Sequence, residues 1–326
     1  MATLKFNAEN LEVLSTITTK LENCAEAIYI GNKEVVIAGM KSKKIIITKW
    51  DIESRRKLVS KMLIYGQEVR HLIFMPKMKA IVVLLKNSKR VIIMNRDLSI
   101  RRVLLCPFLP YSVDLDPARM LLFISGESGQ VRTVSGLTFK LVTVSEVNIG
   151  YSWKVALKCV RVIPKLNYIA CLSHYDRALV LWDWKKKQLV ESLDVMYRYG
   201  AHYSLSFDSN TSLLALGCSE NVSCFEVTEI GFENENVFSP FTQNYTTLAN
   251  ILIIPQIKCV MATSFSKTVW FWHIETGEVL NIVEGVTQSS SGLTLAPLGK
   301  QQKQQLVVIV SDSVNGDIAL IGTPKP

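Results

Sequence analysis

The chain has 326 residues, 48% of them apolar, and a formal net charge of +9 from 37 Lys and Arg against 28 Asp and Glu. That apolar content excludes a disordered, charge-solvated chain. The longest wholly apolar runs, such as AIVVLL at 80–85, fall far short of the ~20 residues needed to span a bilayer. The opening MATLKFNAEN lacks the charged-then-apolar order of a secretory signal, so a soluble, intracellular protein without membrane insertion is expected.

The first predicted element is LEVLSTIT at 11–18, which has the length and alternation of a strand. From there the chain repeats itself about every 44 residues. Asn32, Pro76, Pro117, Pro164, Ser209, Pro255 and Pro297 each follow a short alternating run, at steps of 44, 41, 47, 45, 46 and 42. Two residues before each stands Ile30, Phe74, Leu115, Val162, Phe207, Ile253 or Leu295, and four before stands Ile28, Leu72, Val113, Val160, Leu205, Ile251 or Leu293. Alternation at period two marks a strand with one buried side.

Each repeat then continues alike. A second strand follows the turn, as in EVVIAG, AIVVLL, MLLFIS, YIACLS, LLALGC, CVMATS and QLVVIV. A polar loop leads to a third strand: KIIITKW, RVIIMN, QVRTVS, ALVLWDW, NVSCFEV, TVWFWHI and DIALIG. Six repeats add a fourth: RKLVSKM, IRRVLLC, FKLVTVS, QLVESL, a run near Asn236–Ser239, and EVLNIV. Repeats of roughly 40–45 residues built from four strands predict an all-β protein, a β-propeller with one blade per repeat. The expectation is a single seven-bladed domain over 1–326, monomeric, with antiparallel blades. The seventh repeat, about 290–323, has only three strands, and pairing it with 11–18 would close the ring and remove both open edges.

Trp50-Asp51 ends one third strand, Trp182-Asp183 ends another 132 residues later, and Trp272-His273 ends a third. These endings, at this repeat length, resemble the WD40 repeat family over essentially the whole chain. The resemblance implies that each such Trp packs inside its blade beside an Asp of the preceding loop, a Ser/Thr of the second strand and a His before the first. Only Asp176, six residues before Trp182, keeps the loop Asp, and the family's Gly-His pair is absent, so these blades are expected to rest on apolar packing.

Catalytic constellations are not legible. The four histidines, His71, His174, His202 and His273, are too scattered for a metal centre and read as surface or edge residues. Ser173, His174 and Asp176 share one tight loop, which cannot align a nucleophile, base and orienter, so Asp176 is expected to satisfy its own turn. No P-loop, G-x-S-x-G or G-x-G-x-x-G motif is present. The seven cysteines form no C-x-x-C pair; Cys159, Cys171, Cys218, Cys224 and Cys259 lie in apolar runs and read as reduced, buried thiols. No cofactor and no metal are expected.

Charge is unevenly placed. Residues 41–102 carry 17 Lys and Arg against 4 Asp and Glu, whereas 201–250 carry no Lys or Arg and six acids. In WD40-like blades the strand two-to-three loops share one face with the loops between blades. Lys43 and Lys44 fall in that loop of the first blade, and Lys89 and Arg90 in that of the second, a patch suited to an acidic partner. Arg55, Arg56, Lys57, Lys77, Lys79 and Lys185–Lys187 are expected on the opposite face. Tyr151, Trp153, Tyr197, Arg198 and Tyr199, with Phe238, Phe241 and Tyr245, stand in successive inter-blade loops of the first face. Tyr, Trp and Arg are the types enriched at binding hot spots.

The resemblance implies a non-catalytic protein-interaction scaffold inside a larger assembly. A nucleic-acid or ribonucleoprotein component using the basic first two blades is the alternative. A propeller enzyme would need convergent carboxylates or histidines at the central channel, and the sequence alone does not bring such residues together.

Overall fold

The structure is a computed structural model, and it describes residues 8–63, 68–147, 156–173, 178–195, 204–217, 221–239, 248–264, 267–286, 290–298, 305–312 and 314–324. Strands form where Val, Ile, Leu and aromatic residues run between turn residues. They make seven four-stranded antiparallel sheets, and no α-helix occurs among the described residues. The inner strands are Asn23–Tyr29, Val69–Met75, Pro110–Asp116, Leu157–Ile163, Ser204–Asp208, Leu248–Ile254 and Ser290–Leu298. Each touches the inner strand of the next blade, and the first touches the last, so the blades form a ring.

Six sheets take their four strands in sequence order. The seventh is completed by Glu12–Ile17, which pairs antiparallel with Ile318–Gly322, from Glu12 opposite Gly322 to Ile17 opposite Ile318. Closure by the N-terminal strand is therefore present. Leu11 is buried in the seam with the sixth blade and Ile17 in the seam with the first, and Asn281 Nδ2 of the sixth blade donates to the Leu11 carbonyl at 3.0 Å. Gly316, at φ +71°, turns the chain beside it, and a Cβ there would stand 2.4 Å from the Leu21 carbonyl oxygen. Only glycine fits both that dihedral and that approach.

The proline that recurs in the sequence sits at the turn from inner to second strand in the second, third, fourth and sixth blades, whereas Pro297 lies near the end of the seventh inner strand, opposite Leu306. Pro76–Met78 and Pro255–Ile257 are single 3₁₀ turns opened by proline, closed by Lys79 and Lys258 in the left-handed region. Proline presets φ there, and its missing N–H would have had no partner in the first turn.

Burial runs radially. Second and third strands such as Ala80–Leu85, Tyr168–Ser173 and Ala178–Asp183 are buried at every residue, because a neighbouring blade covers each face. Outer strands such as Arg56–Leu63 and Ile100–Leu105 are exposed along most of their length. Among the described residues there is no single central core. Seven apolar clusters instead fill the seven seams between adjacent blades, as Leu72 with Ile28 and Ile81 between the first and second.

The first repeat departs from the register read off the sequence. Leu72, Val113, Val160, Leu205, Ile251 and Leu293 face the preceding blade, but Ile28 and Ile30 face the following one. In the first blade it is Ala27 and Tyr29 that pack on the seventh. A one-residue slip exchanges the two faces of a strand, and both faces of this one are apolar, so alternation could not reveal it.

Candidate functional site

An inner strand is paired along one side only, and its other edge faces the channel at the ring's centre. The N–H groups of that edge need acceptors. Side chains of the preceding blade supply them. Asp114 Oδ2 accepts from Val162 N at 2.7 Å and Ser112 Oγ from Val160 N at 3.3 Å. Ser206 Oγ accepts from Ile253 N at 3.1 Å, Ser204 Oγ from Ile251 N at 3.4 Å, and Thr294 Oγ1 from Tyr29 N at 3.5 Å. Glu26 Oε2 accepts from Leu72 N in the same way.

The channel-facing residues include ionisable side chains from each of the first five blades: Glu26, His71, Asp114, Arg161 and Asp208. They line a cavity of about 420 Å³. The expectation that His71 is a surface or edge residue is corrected. Its side chain is 19% exposed, and its Nδ1 lies 3.3 Å from Glu26 Oε1. A ring of inward strands makes neighbours of residues more than forty positions apart, which spacing within one repeat does not reveal.

Burial dominates their electrostatics. It pushes the Glu26 carboxyl up to about 8, against the opposing Leu72 N–H and the Arg161 charge. Burial and the Arg161 charge push His71 down to about 3. Burial likewise raises Asp114, although Arg161 and the Val162 N–H oppose it. Burial works against the Arg161 cation, but Cys159, Asp114 and Glu26 outweigh it and leave its pKa raised. At neutral pH the Glu26–His71 contact therefore joins a protonated carboxyl and a neutral imidazole, not an ion pair. Gly292 of the seventh blade closes over this pair, where a Cβ would lie 3.0 Å from Glu26 Cγ.

This pairing predicts an unusual pH profile. Glu26 titrates at about 8 in the fold against 4.5 ordinarily, so the folded state holds the proton more tightly and stability falls as pH rises through that window. His71 titrates at about 3 against 6.5, so the unfolded state holds the proton more tightly and stability falls as pH drops through that window. The two trends offset each other between 4.5 and 6.5, leaving Glu26 alone above and His71 alone below. Each contributes up to about 1.4 kcal/mol per pH unit within its window. Glu26→Gln keeps an acceptor for Leu72 N–H, and it is expected to flatten the loss between about pH 6.5 and 8. Urea unfolding of both proteins across that range checks this; parallel profiles would contradict it.

The residues singled out in the sequence fall elsewhere. Tyr151, Trp153, Tyr197, Arg198 and Tyr199 lie outside the described residues, as do Asp176, His174, His202 and Cys218. Lys43 and Lys44 are exposed in the turn between second and third strands of the first blade. Lys89 and Arg90 are exposed in the equivalent turn of the second, where Lys89 Nζ reaches the Pro107 carbonyl at 2.9 Å. Other basic residues are spent inside the ring. Arg96 of the second blade binds Glu34 at 2.8 Å and the Gly31 carbonyl at 2.9 Å in the first, and Lys49 joins Glu34 at 3.3 Å. Arg119 links Asp116 to Asn167 and the Pro164 carbonyl of the fourth blade.

Trp50, Trp182 and Trp272 are 8%, 6% and 0% exposed. Trp50 Nε1 donates to Thr48 Oγ1 of its own strand at 2.9 Å. The buried Trp182 and Trp272 Nε1 atoms have no acceptor among the described residues. Asp51 Oδ1 accepts from Glu53 N and Ser54 N at 3.0 and 2.7 Å, and Asp183 Oδ1 from Lys185 N and Lys186 N at 2.9 and 2.8 Å. His273 Nδ1 does the same for Glu275 N and Thr276 N. The residue after the Trp thus caps the turn to the outer strand.

All six described cysteines are buried and outside any disulfide. Burial pushes the thiols of Cys24, Cys224 and Cys259 up to about 12, which keeps them unreactive. Among the described residues no cluster of three or more His, Cys, Asp or Glu is placed to hold a metal, and no helix is long and apolar enough to cross a membrane. No protein-family model matches the chain, and a search of curated proteins returns no match. The architecture is that of a seven-bladed β-propeller, a fold that commonly serves as a protein-interaction scaffold.

Proposed function

We propose that this propeller is a non-catalytic interaction platform of the WD40 type, a subunit of a larger intracellular assembly, which takes an acidic protein partner on the face bearing Lys43, Lys44, Lys89 and Arg90. One observation carries the reading. These four cations are exposed at equivalent turns of adjacent blades, whereas Lys49 is held in an ion pair within the first blade and Arg96 ties the second blade to the first. The polar channel supports the non-catalytic part. Glu26 and Asp114 give their oxygens to backbone N–H groups of the next blade, as Ser206 and Thr294 do, so their geometry is accounted for by holding blades together. Buried, reduced thiols fit a reducing compartment.

The test pairs two variants. Reversing charge at Lys43, Lys44, Lys89 and Arg90 is expected to abolish salt-sensitive capture of the partner, and reversing it at Lys185, Lys186 and Lys187 on the opposite face is expected to leave capture intact. Equal capture by both overturns the basic-face reading. The aromatic loops belong to the same proposal. Trp153→Ala and Tyr199→Ala are expected to weaken partner binding by about 2 kcal/mol or more with little change in melting; a fall in melting with unchanged affinity of the folded fraction would assign those rings to packing. Steeply salt-dependent binding of generic RNA would instead favour the ribonucleoprotein reading of the basic blades.

A further inference from the structure

We propose that the channel mouth between the second, third and fourth blades is a binding site for a phosphate-type oxyanion. The three inner strands there carry Arg70, Tyr111 and Lys158 at equivalent bulged positions. The Arg70 guanidinium carbon lies 4.5 Å from the centroid of the Tyr111 ring, and Lys158 Nζ lies 4.6 Å from the same centroid. Two cations from flanking blades are thus gathered on one aromatic ring.

Neither cation has a carboxylate within ion-pair distance among the described residues. The nearest acid in sequence, Glu68, is paired with Lys86. Arg70 Nε is buried and has no acceptor among the described residues. Burial lowers the pKa of both groups, and the Arg70 charge lowers that of Lys158 further. A third cation, Arg161, lies deeper in the same cavity of about 210 Å³. That is several times the roughly 30 Å³ occupied by one water, room for a phosphoryl group and its hydration.

The remaining wall suits the same ligand. Ser112 and Ser204 accept backbone N–H bonds through Oγ, which leaves each a hydroxyl hydrogen to donate. Glu26, the one carboxyl on the described wall, is held protonated by burial and bound to Leu72 N, so it does not repel an anion at neutral pH. An oxyanion at this mouth would accept from these cations and offset the repulsion between them. The site is recessed in the channel and separate from the exposed turns assigned to a protein partner, so it stands or falls independently of that reading.

The experiment titrates the full chain with inorganic pyrophosphate at constant ionic strength, by calorimetry and by thermal shift. Saturable binding with a rise in melting temperature is expected. Arg70→Gln and Lys158→Gln are each expected to weaken it at least tenfold, and Lys61→Gln, on the outer edge of the first blade, is expected to leave it unchanged. Melting without ligand establishes that the variants fold, and Tyr111→Phe, which keeps the ring, should retain binding. A second arm uses phosphatidylcholine vesicles with and without phosphatidic acid, which distinguishes a lipid phosphate from a free one. Capture of either phosphate source that is lost in both Gln variants supports the site. No saturable binding in either arm, or binding equal in wild type and both Gln variants, overturns it.

Discussion

Removing residues 1–18 is expected to unfold the propeller or leave it soluble only as an aggregate-prone form. The deletion takes away the outer strand Glu12–Ile17 and exposes the facing edge of Ile318–Gly322, a ready template for intermolecular pairing. It also removes buried Leu11 and Ile17 from the seams on either side of the seventh blade. Truncating one buried Leu or Ile to Ala costs about 2–5 kcal/mol, and whole domains are stable by about 5–15 kcal/mol. The single substitution Ile17→Asn, which buries an amide in the same seam, is expected to lower stability by several kcal/mol on the same scale. Thermal melting and size-exclusion chromatography check both. Unchanged melting and solubility after the deletion would show that the ring does not depend on this strand.

Trp272→Ala is expected to cost about 3–5 kcal/mol, as is Trp182→Ala. Trp272 is fully buried, stacked on Trp270 at 5.8 Å between ring centroids and on Phe238 at 6.5 Å. Trp182 is 6% exposed in the seam between the third and fourth blades. Phenylalanine separates packing from hydrogen bonding. Because the Trp272 and Trp182 N–H groups have no acceptor among the described residues, the Phe variants are expected to lose ring volume but also to shed a buried donor without a described partner, a group that costs about 1–3 kcal/mol when unpaired. They are expected to retain most of the stability that the Ala variants lose. Trp50→Phe breaks a bond to Thr48 and is expected to cost relatively more. Denaturant unfolding of the set measures this order, and Phe variants as damaging as Ala at positions 182 and 272 would point to a polar network of the WD40 kind after all.

Much of this architecture is legible in the residues. Period-two alternation before each turn marks the inner strands, and uninterrupted apolar runs such as AIVVLL mark strands covered on both faces. The missing fourth strand of the last repeat points to the orphan at 11–18, and the structure pairs them. The channel was less legible. Its signal is a polar residue inside an apolar inner strand, such as Asp114 in YSVDLD or Arg161 in KCVRVI, at a position that faces away from the alternating apolar set. Alternation alone treats those positions as solvent-facing, and only the closed ring turns them toward one another. His71 and Glu26 show the same effect across a junction, where a slip of one residue in the first repeat hid that they occupy matching positions directly after the bulge. The charge asymmetry was visible throughout, but which cations are spent as ties, such as Arg96 on Glu34, depends on side-chain geometry between blades.

Ring closure is the claim on which the channel, its polar lining and the shared face all depend. Amide hydrogen exchange of the intact protein, read on peptides covering Glu12–Ile17 and Ile318–Gly322, tests it most directly, because the two strands share their ladder of hydrogen bonds. The account predicts that both peptides are protected to a similar degree and lose protection together as denaturant is raised. Rapid exchange of Glu12–Ile17 in the folded protein, while Ile318–Gly322 remains protected, would contradict it.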